Sequence, residues 1–86
     1  MSPMSTYYVN YHGRAGSFID EDGLDLRSIN DALRFVFDLV EELQADDPVE
    51  AHWRNCCFEV ADESGAVLLS RPVTLLMTII SRQARH

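Results

Sequence analysis

The stretch Ser28-Ile29-Asn30-Asp31-Ala32-Leu33-Arg34-Phe35-Val36-Phe37-Asp38-Leu39-Val40-Glu41-Glu42-Leu43-Gln44-Ala45 decides how the rest of the chain is read. Ile29, Ala32, Leu33, Val36, Val40 and Leu43 recur at three- and four-residue steps, which places them on one face of a helix. Asn30, Arg34, Asp38, Glu41 and Glu42 take the opposite side. Phe35, Phe37 and Leu39 flank the stripe and widen the apolar arc to about half the circumference, more than one packed face needs. Ser28 stands at the N-cap position, and Asp31 three residues on makes a variant of the capping box that also suits the positive helix end. Asp46-Asp47-Pro48 ends the helix, because proline disfavours helical geometry in the residue before it.

Outward from this helix the pattern changes to strands. Before it, Tyr7 to Tyr11 is an aromatic and β-branched run that reads as a first strand. Gly13 and Gly16 mark a turn, and Ser17 to Asp20 reads as a short second strand. Asp20-Glu21-Asp22-Gly23 is a tight acidic turn, followed by an extended edge segment in which Leu24 and Leu26 alternate with Asp25. After the helix, Trp53 to Ala61 is a strand with Cys56, Phe58 and Val60 on one face and Asn55, Cys57 and Glu59 on the other. Asp62-Glu63-Ser64-Gly65 is a hairpin loop, and Ala66 to Ser70 its returning strand. Pro72 suits the first turn of a last helix, with Ser70 as its cap. In residues 73–84, Thr74, Thr78, Ile79 and Ile80 favour a strand by propensity. Val73, Leu76, Met77, Ile80 and Ala84 instead make a helical stripe, and Arg82 and Arg85 suit a helix C-terminus, so a helix is expected. The order ββαββα predicts an α+β fold: a four-stranded antiparallel sheet from two hairpins, with the helices on one face.

The chain of 86 residues fits a single domain, residues 1–86, with residues 1–6 expected to be disordered. Seven Arg, no Lys and fourteen acids give a formal charge of −7. That charge argues against non-specific nucleic-acid binding, which needs a basic surface. All fourteen acids lie between Asp20 and Glu63, while residues 64–86 carry Arg71, Arg82 and Arg85 and no acid. The N-terminus lacks the basic and apolar segments of a secretory signal. Val73 to Ile80 falls far short of the roughly 20 apolar residues that span a bilayer. Cys56 and Cys57 are adjacent, where a bridge closes no useful loop. Two reduced thiols in the cytoplasm are expected.

In this order Tyr7-Tyr8-Val9, the Asp20-x-Asp22-Gly23-Leu24-Asp25-Leu26 turn, the alanine-containing helix and the hairpin Trp53 … Phe58-Glu59-Val60-x-Asp62-Glu63-x-Gly65-x-Val67-Leu68 form a recognisable series. From Tyr7 to Pro72 the chain resembles a family of small uncharacterised bacterial proteins, a domain of unknown function. The hairpin is the most specific part of the match. Asn10 sits where the resemblance expects His, and the tail after Pro72 is longer and more apolar. The resemblance implies a fold and no activity.

The residues offer few chemical constellations. His52, Cys56 and Cys57 lie close in sequence, with His12, Glu50 and His86 as further candidate ligands. Zinc sites use separated ligand pairs, and neighbouring cysteines on a strand point to opposite faces. Cys57 with His12 or His52 would make a nucleophile, but no orienting group or cleft accompanies it in the sequence. The acidic turn fails the calcium-loop register: with Gly23 at position 6, Phe18 and Ile29 fall at positions 1 and 12. His12 to Ser17 has two glycines without the Lys-Ser/Thr ending of a phosphate loop. Tyr7, Tyr8, Tyr11 and Phe18 lack the basic groove of a single-strand platform.

Surplus apolar surface remains. Phe35, Leu39, Leu75 and Ile79 fall off the main helical stripes. Either the two helices bury these side chains in each other, or they form an interaction surface that supports a homodimer. The reading that follows is a small non-enzymatic protein-interaction or regulatory module with no cofactor, no metal, no nucleic acid and no membrane, its protein partner unidentified. The competing reading is a small metal- or thiol-dependent enzyme using Cys56, Cys57 and His52.

Overall fold

A computed structural model describes residues 4–83 of the chain. Its first strand, β1 (Ser5–Gly13), is the scaffold of the sheet. One edge of β1 takes two short strands in succession. β2 (Gly16–Phe18) pairs antiparallel with Tyr11, His12 and Gly13, and β3 (Leu24–Leu26) pairs with Ser5, Thr6 and Tyr7. The other edge takes β4 (Cys57–Ala61), with Val9 opposite Val60 and Tyr11 opposite Phe58. β5 (Val67–Pro72) completes the order β2-β1-β4-β5, with a bulge where Val60 pairs with Leu69 and Ala61 with Val67. The α+β class and the ββαββα succession hold. The edge segment at Leu24–Leu26 adds a fifth short strand, because β1 runs back to Ser5 and sets Ser5, Thr6 and Tyr7 opposite Leu26, Asp25 and Leu24. β1 starts at Ser5, so Ser5 and Thr6 are strand where disorder was expected. Residues 1–3 lie outside the described residues.

Side-chain alternation gives the sheet two unlike faces. Tyr7, Val9, Tyr11, Leu24, Phe58, Val60 and Leu69 belong to the core face. Tyr8, Asn10 and His12 stand opposite Ala61, Glu59 and Cys57 on the outer face. Both helices lie over the core face. The first, α1 (Ile29–Asp46), buries Ala32, Val36 and Val40. The second, α2 (Val73–Gln83), buries Val73, Leu76 and Met77, and packs on α1 and β5. The expected last position of α2, Ala84, lies outside the described residues.

Local chemistry explains the element ends. Ser28 takes the extended N-cap conformation, but its side chain caps nothing. Its carbonyl instead accepts the N–H groups of Asp31 at 3.2 Å and Ala32 at 3.4 Å, so the capping-box variant is not made. Trp53 was expected in a strand and closes a 3-10 turn (Glu50–Trp53) instead. The strand starts only at Cys57 because Asn55 adopts a left-handed φ of 65°, a conformation asparagine tolerates better than most residues. Pro72 ends β5 rather than opening α2. Its missing N–H is harmless on an edge strand. The next residue, Val73, donates its N–H to the Cys56 carbonyl at 2.9 Å, so strand passes into helix without a loop.

Candidate functional site

The broad apolar arc of α1 exceeds what the sheet covers. On the β2 side of the helix, Phe35, Leu39 and Leu43 face the core-side residues Tyr11, Phe18 and Phe58 across an open groove. Two adjoining clefts of about 390 and 480 Å³ share Tyr11, Phe18, Leu39 and Phe58. Tyr11 and Phe58 are cross-strand partners whose ring centroids lie 5.2 Å apart at a tilt of 56°. Phe18 pairs with Tyr11 on the other side and remains 69% exposed, although it stands on the core face of the sheet. The helical layer does not reach that far.

Trp53 closes one end of the groove, and Asp47 holds it there. The Trp53 indole N–H donates to the Asp47 carbonyl at 2.8 Å. The Asp47 carboxylate accepts the Val49 N–H at 3.2 Å and the His52 Nδ1–H at 2.7 Å, while its own N–H closes α1 on Leu43. The His52 hydrogen bond, followed by that from Val49, holds the Asp47 carboxyl below its ordinary value. Tyr11 is fixed from the opposite side. A Cβ on Gly13 would come within 2.6 Å of the phenol, so the ring occupies space that the glycine leaves open. Burial first, and the neighbouring Cys56 thiol second, push the Tyr11 hydroxyl up to about 12.

The charged members of the groove wall are Asp20, Asp22 and Glu42, and no basic residue among the described residues lines either cleft. An apolar floor with carboxylates at its margin suits a partner with apolar anchors and positive charge beside them.

The structure divides the four expected surface residues. Phe35 and Leu39 line the groove, with Phe35 37% exposed. Leu75 and Ile79 stand on α2, on the other side of α1, and line neither cleft. Leu75 is 46% exposed and Ile79 half-buried. The site also contains four aromatics that helical spacing does not reveal, Tyr11, Phe18, Trp53 and the strand residue Phe58. Tyr11 and Phe18 were grouped with Tyr8, which points to the opposite face, and Trp53 was placed in a strand. The missing signal was alternation: Phe18 follows Ser17, whose partner His12 belongs to the outer face.

The chemistry-bearing residues are dispersed. Cys56 is buried, and its thiol lies 3.7 Å from the Arg54 carbonyl. Cys57 is opposite His12 on the outer face, so this suggested pair is adjacent. Both ring nitrogens of His12 are nevertheless engaged: Nε2 lies 2.7 Å from Glu59 Oε1, and Nδ1 2.8 Å from Ser17 Oγ. Because an ionised carboxylate only accepts, the ring donates to Glu59 through Nε2–H. The chain Ser17–His12–Glu59 braces β2, β1 and β4 together. His52 is occupied with Asp47, away from Cys57, and His86 lies outside the described residues. No group of three His, Cys, Asp or Glu side chains suited to a metal occurs among the described residues.

The acidic turn also has a structural role. Asp20 Oδ2 accepts the Val9 N–H at 3.2 Å, and Oδ1 accepts the N–H groups of Asp22 and Gly23 at 3.1 and 3.0 Å. The second hairpin is organised in the same way. Asp62 Oδ1 accepts from Ser64 N–H, Ser64 Oγ–H and Ala66 N–H, and the Ser64 hydroxyl is the first cause that keeps this carboxyl below its ordinary value.

No helix among the described residues is long and apolar enough to cross a membrane. No curated protein and no solved structure matches the chain. A family model, Domain of unknown function (DUF6894), matches residues 6–74, which include β1 from Thr6 onward, the other four strands, all of α1 and the aromatic groove. The chain therefore belongs to the DUF6894 family, a domain of unknown function.

Proposed function

We propose that the chain is a protein-interaction module that receives an apolar, positively flanked segment in the groove between α1 and the β1–β2 edge. One observation carries this reading: an open floor formed by Tyr11, Phe18, Leu39, Leu43, Trp53 and Phe58 is bordered by Asp20, Asp22 and Glu42 and, among the described residues, by no base. Exposed apolar patches on small domains commonly mark a docking surface. The local charge adds to the argument, since carboxylates beside the groove steer a basic partner and repel an acidic one. The two free thiols, Cys56 and Cys57, support a reducing compartment such as the cytoplasm. The competing metal- or thiol-enzyme reading draws no support from a gathered site, because Cys56 faces the core, Cys57 the outer face and His52 the Asp47 carboxylate.

The test uses the single tryptophan, which lines the groove. Trp53 emission is followed while a synthetic amphipathic Leu/Lys peptide is added to the intact chain, and then its Leu/Glu counterpart. Saturable change with the cationic peptide, weaker change with the anionic one and loss of both in Phe18→Ser support the groove. No change with either peptide, or equal change with both, overturns the reading.

A further inference from the structure

Resting on that reading of the groove, we propose that its occupant is α2 of a second copy of this chain, and that two copies exchange these faces about a two-fold axis. Leu75, Ile79 and Arg82 stand at i, i+4 and i+7 of α2, the spacing with which an amphipathic helix presents its anchors to a groove. All three lie off the face that α2 packs into its own core, which uses Val73, Leu76 and Met77. Two of them are apolar, as the groove floor is. The third is a cation, as its acidic margin requires.

Charge favours this occupant. From Ser64 to the C-terminus the chain has three Arg and no acid, whereas the groove lining among the described residues has three acids and no base. Arg82 makes no ion pair among the described residues, so its charge is available to a partner. A copy that docks α2 beside Glu42 places the Arg-bearing, acid-free tail of the chain against its acidic middle. The net charge of −7 alone would instead predict repulsion between copies.

Placement also favours closure. The groove flanks α1 on the β2 side, and α2 flanks it on the β5 side. A two-fold axis parallel to the helical layer and passing beside α1 lays each α2 over the groove of the other copy. Both contacts then form together, which ends the assembly at two chains instead of propagating a filament. The molecule is a slab of 40 × 34 × 18 Å whose helical layer forms one broad face. A face of this breadth is suited to the roughly 1,600 Å² of total buried surface typical of specific interfaces.

Light scattering on the intact chain from about 1 μM to about 1 mM tests the exchange. The mass should rise to twice that of one chain. Arg82→Glu and Glu42→Arg, both at exposed positions, should each weaken association about ten- to hundred-fold, and together restore it to near the wild-type level. Leu75→Asp should abolish it. A wild-type chain that stays single throughout, charge reversals without effect, or a double variant no better than either single one overturns the exchange. A chain that stays single yet answers the Leu/Lys peptide through Trp53 keeps the groove and loses the self-pairing. A chain that does neither loses both.

Discussion

The carboxylate of Asp20 stands beside Val9 in place of a strand, accepting its backbone N–H at 3.2 Å. β2 and β3 occupy the same edge of β1 but leave Tyr8, Val9 and Asn10 unpaired on that side. Asp20 bridges the gap, and its own N–H donates to Asn10 Oδ1 at 2.9 Å. Val9 is buried, so an orphaned amide there has no ready access to water. Asp20→Ala should lower unfolding free energy by about 2–3 kcal/mol in urea titrations. Asp20→Asn keeps one acceptor oxygen and should lose less. A loss below about 0.5 kcal/mol for the alanine variant would show that water replaces the carboxylate at no cost.

Gly13 and Tyr11 are coupled sterically. Gly13→Ala places a methyl group within 2.6 Å of the phenol, so the ring must leave its position beside Phe58. The expected loss is about 1–3 kcal/mol, the usual range for overpacking. Tyr11→Leu in the same background should recover part of that loss, because the clash disappears with the ring. If Gly13→Ala is equally costly with Leu at position 11, the glycine acts on something else.

Alkaline titration reads the same ring. The Tyr11 hydroxyl is raised from 10.0 to about 12, chiefly by burial. A folded-state value above the unfolded one means that stability is full below pH 10 and declines as pH rises toward 12. Ultraviolet difference spectra should therefore show a late-ionising component that disappears in Tyr11→Phe. An alkaline transition that is unchanged in Tyr11→Phe contradicts this.

At the acid end the sign reverses. Asp47 and Asp62 both sit below the ordinary 3.8, each held first by a side-chain hydrogen bond, from His52 and Ser64 respectively. Their contribution is present above 3.8 and disappears as pH falls through the lower folded values. Melting temperature should fall between pH 4 and pH 2, and less steeply in the Asp47→Asn, Asp62→Asn double variant. An unchanged slope in that variant would remove both carboxylates from the acid transition.

Core and docking positions on α2 should separate cleanly. Leu76 is buried against α1 and the sheet, and Leu76→Ala should cost about 2–5 kcal/mol. Its neighbour Leu75 is 46% exposed, and Leu75→Ser should stay within about 0.5 kcal/mol by chemical denaturation of the dilute chain. A large loss for Leu75→Ser at low concentration would place that side chain in the monomer core.

The contrast between α1 and Trp53 marks what a linear reading can reach. Helical spacing fixes which residues of α1 share a face, so Val36 and Val40 were legible as core and Phe35 and Leu39 as surplus. The strands at Tyr7 and Phe58 were legible for the same reason, since alternation with period two is a local property. Trp53 was not. Its place depends on the left-handed φ at Asn55 and on an indole N–H reaching the Asp47 carbonyl, and neither is encoded in spacing. The same holds for Ser28, whose residue type suits a cap but whose side chain makes no capping bond.

By itself, then, the sequence determined the two hairpins, the overwide apolar arc of α1 and the separation of an acidic middle from a basic tail. Each of these is set by neighbours along the chain. Only the tertiary structure decided which surplus side chains meet. It carried Phe18 to an edge that no helix covers, set Phe35 and Leu39 beside it, and left Leu75 and Ile79 on the far side of α1. The reason is geometric: two helices over one face of this sheet leave the β2 edge uncovered, and which edge that is depends on strand order, a long-range property.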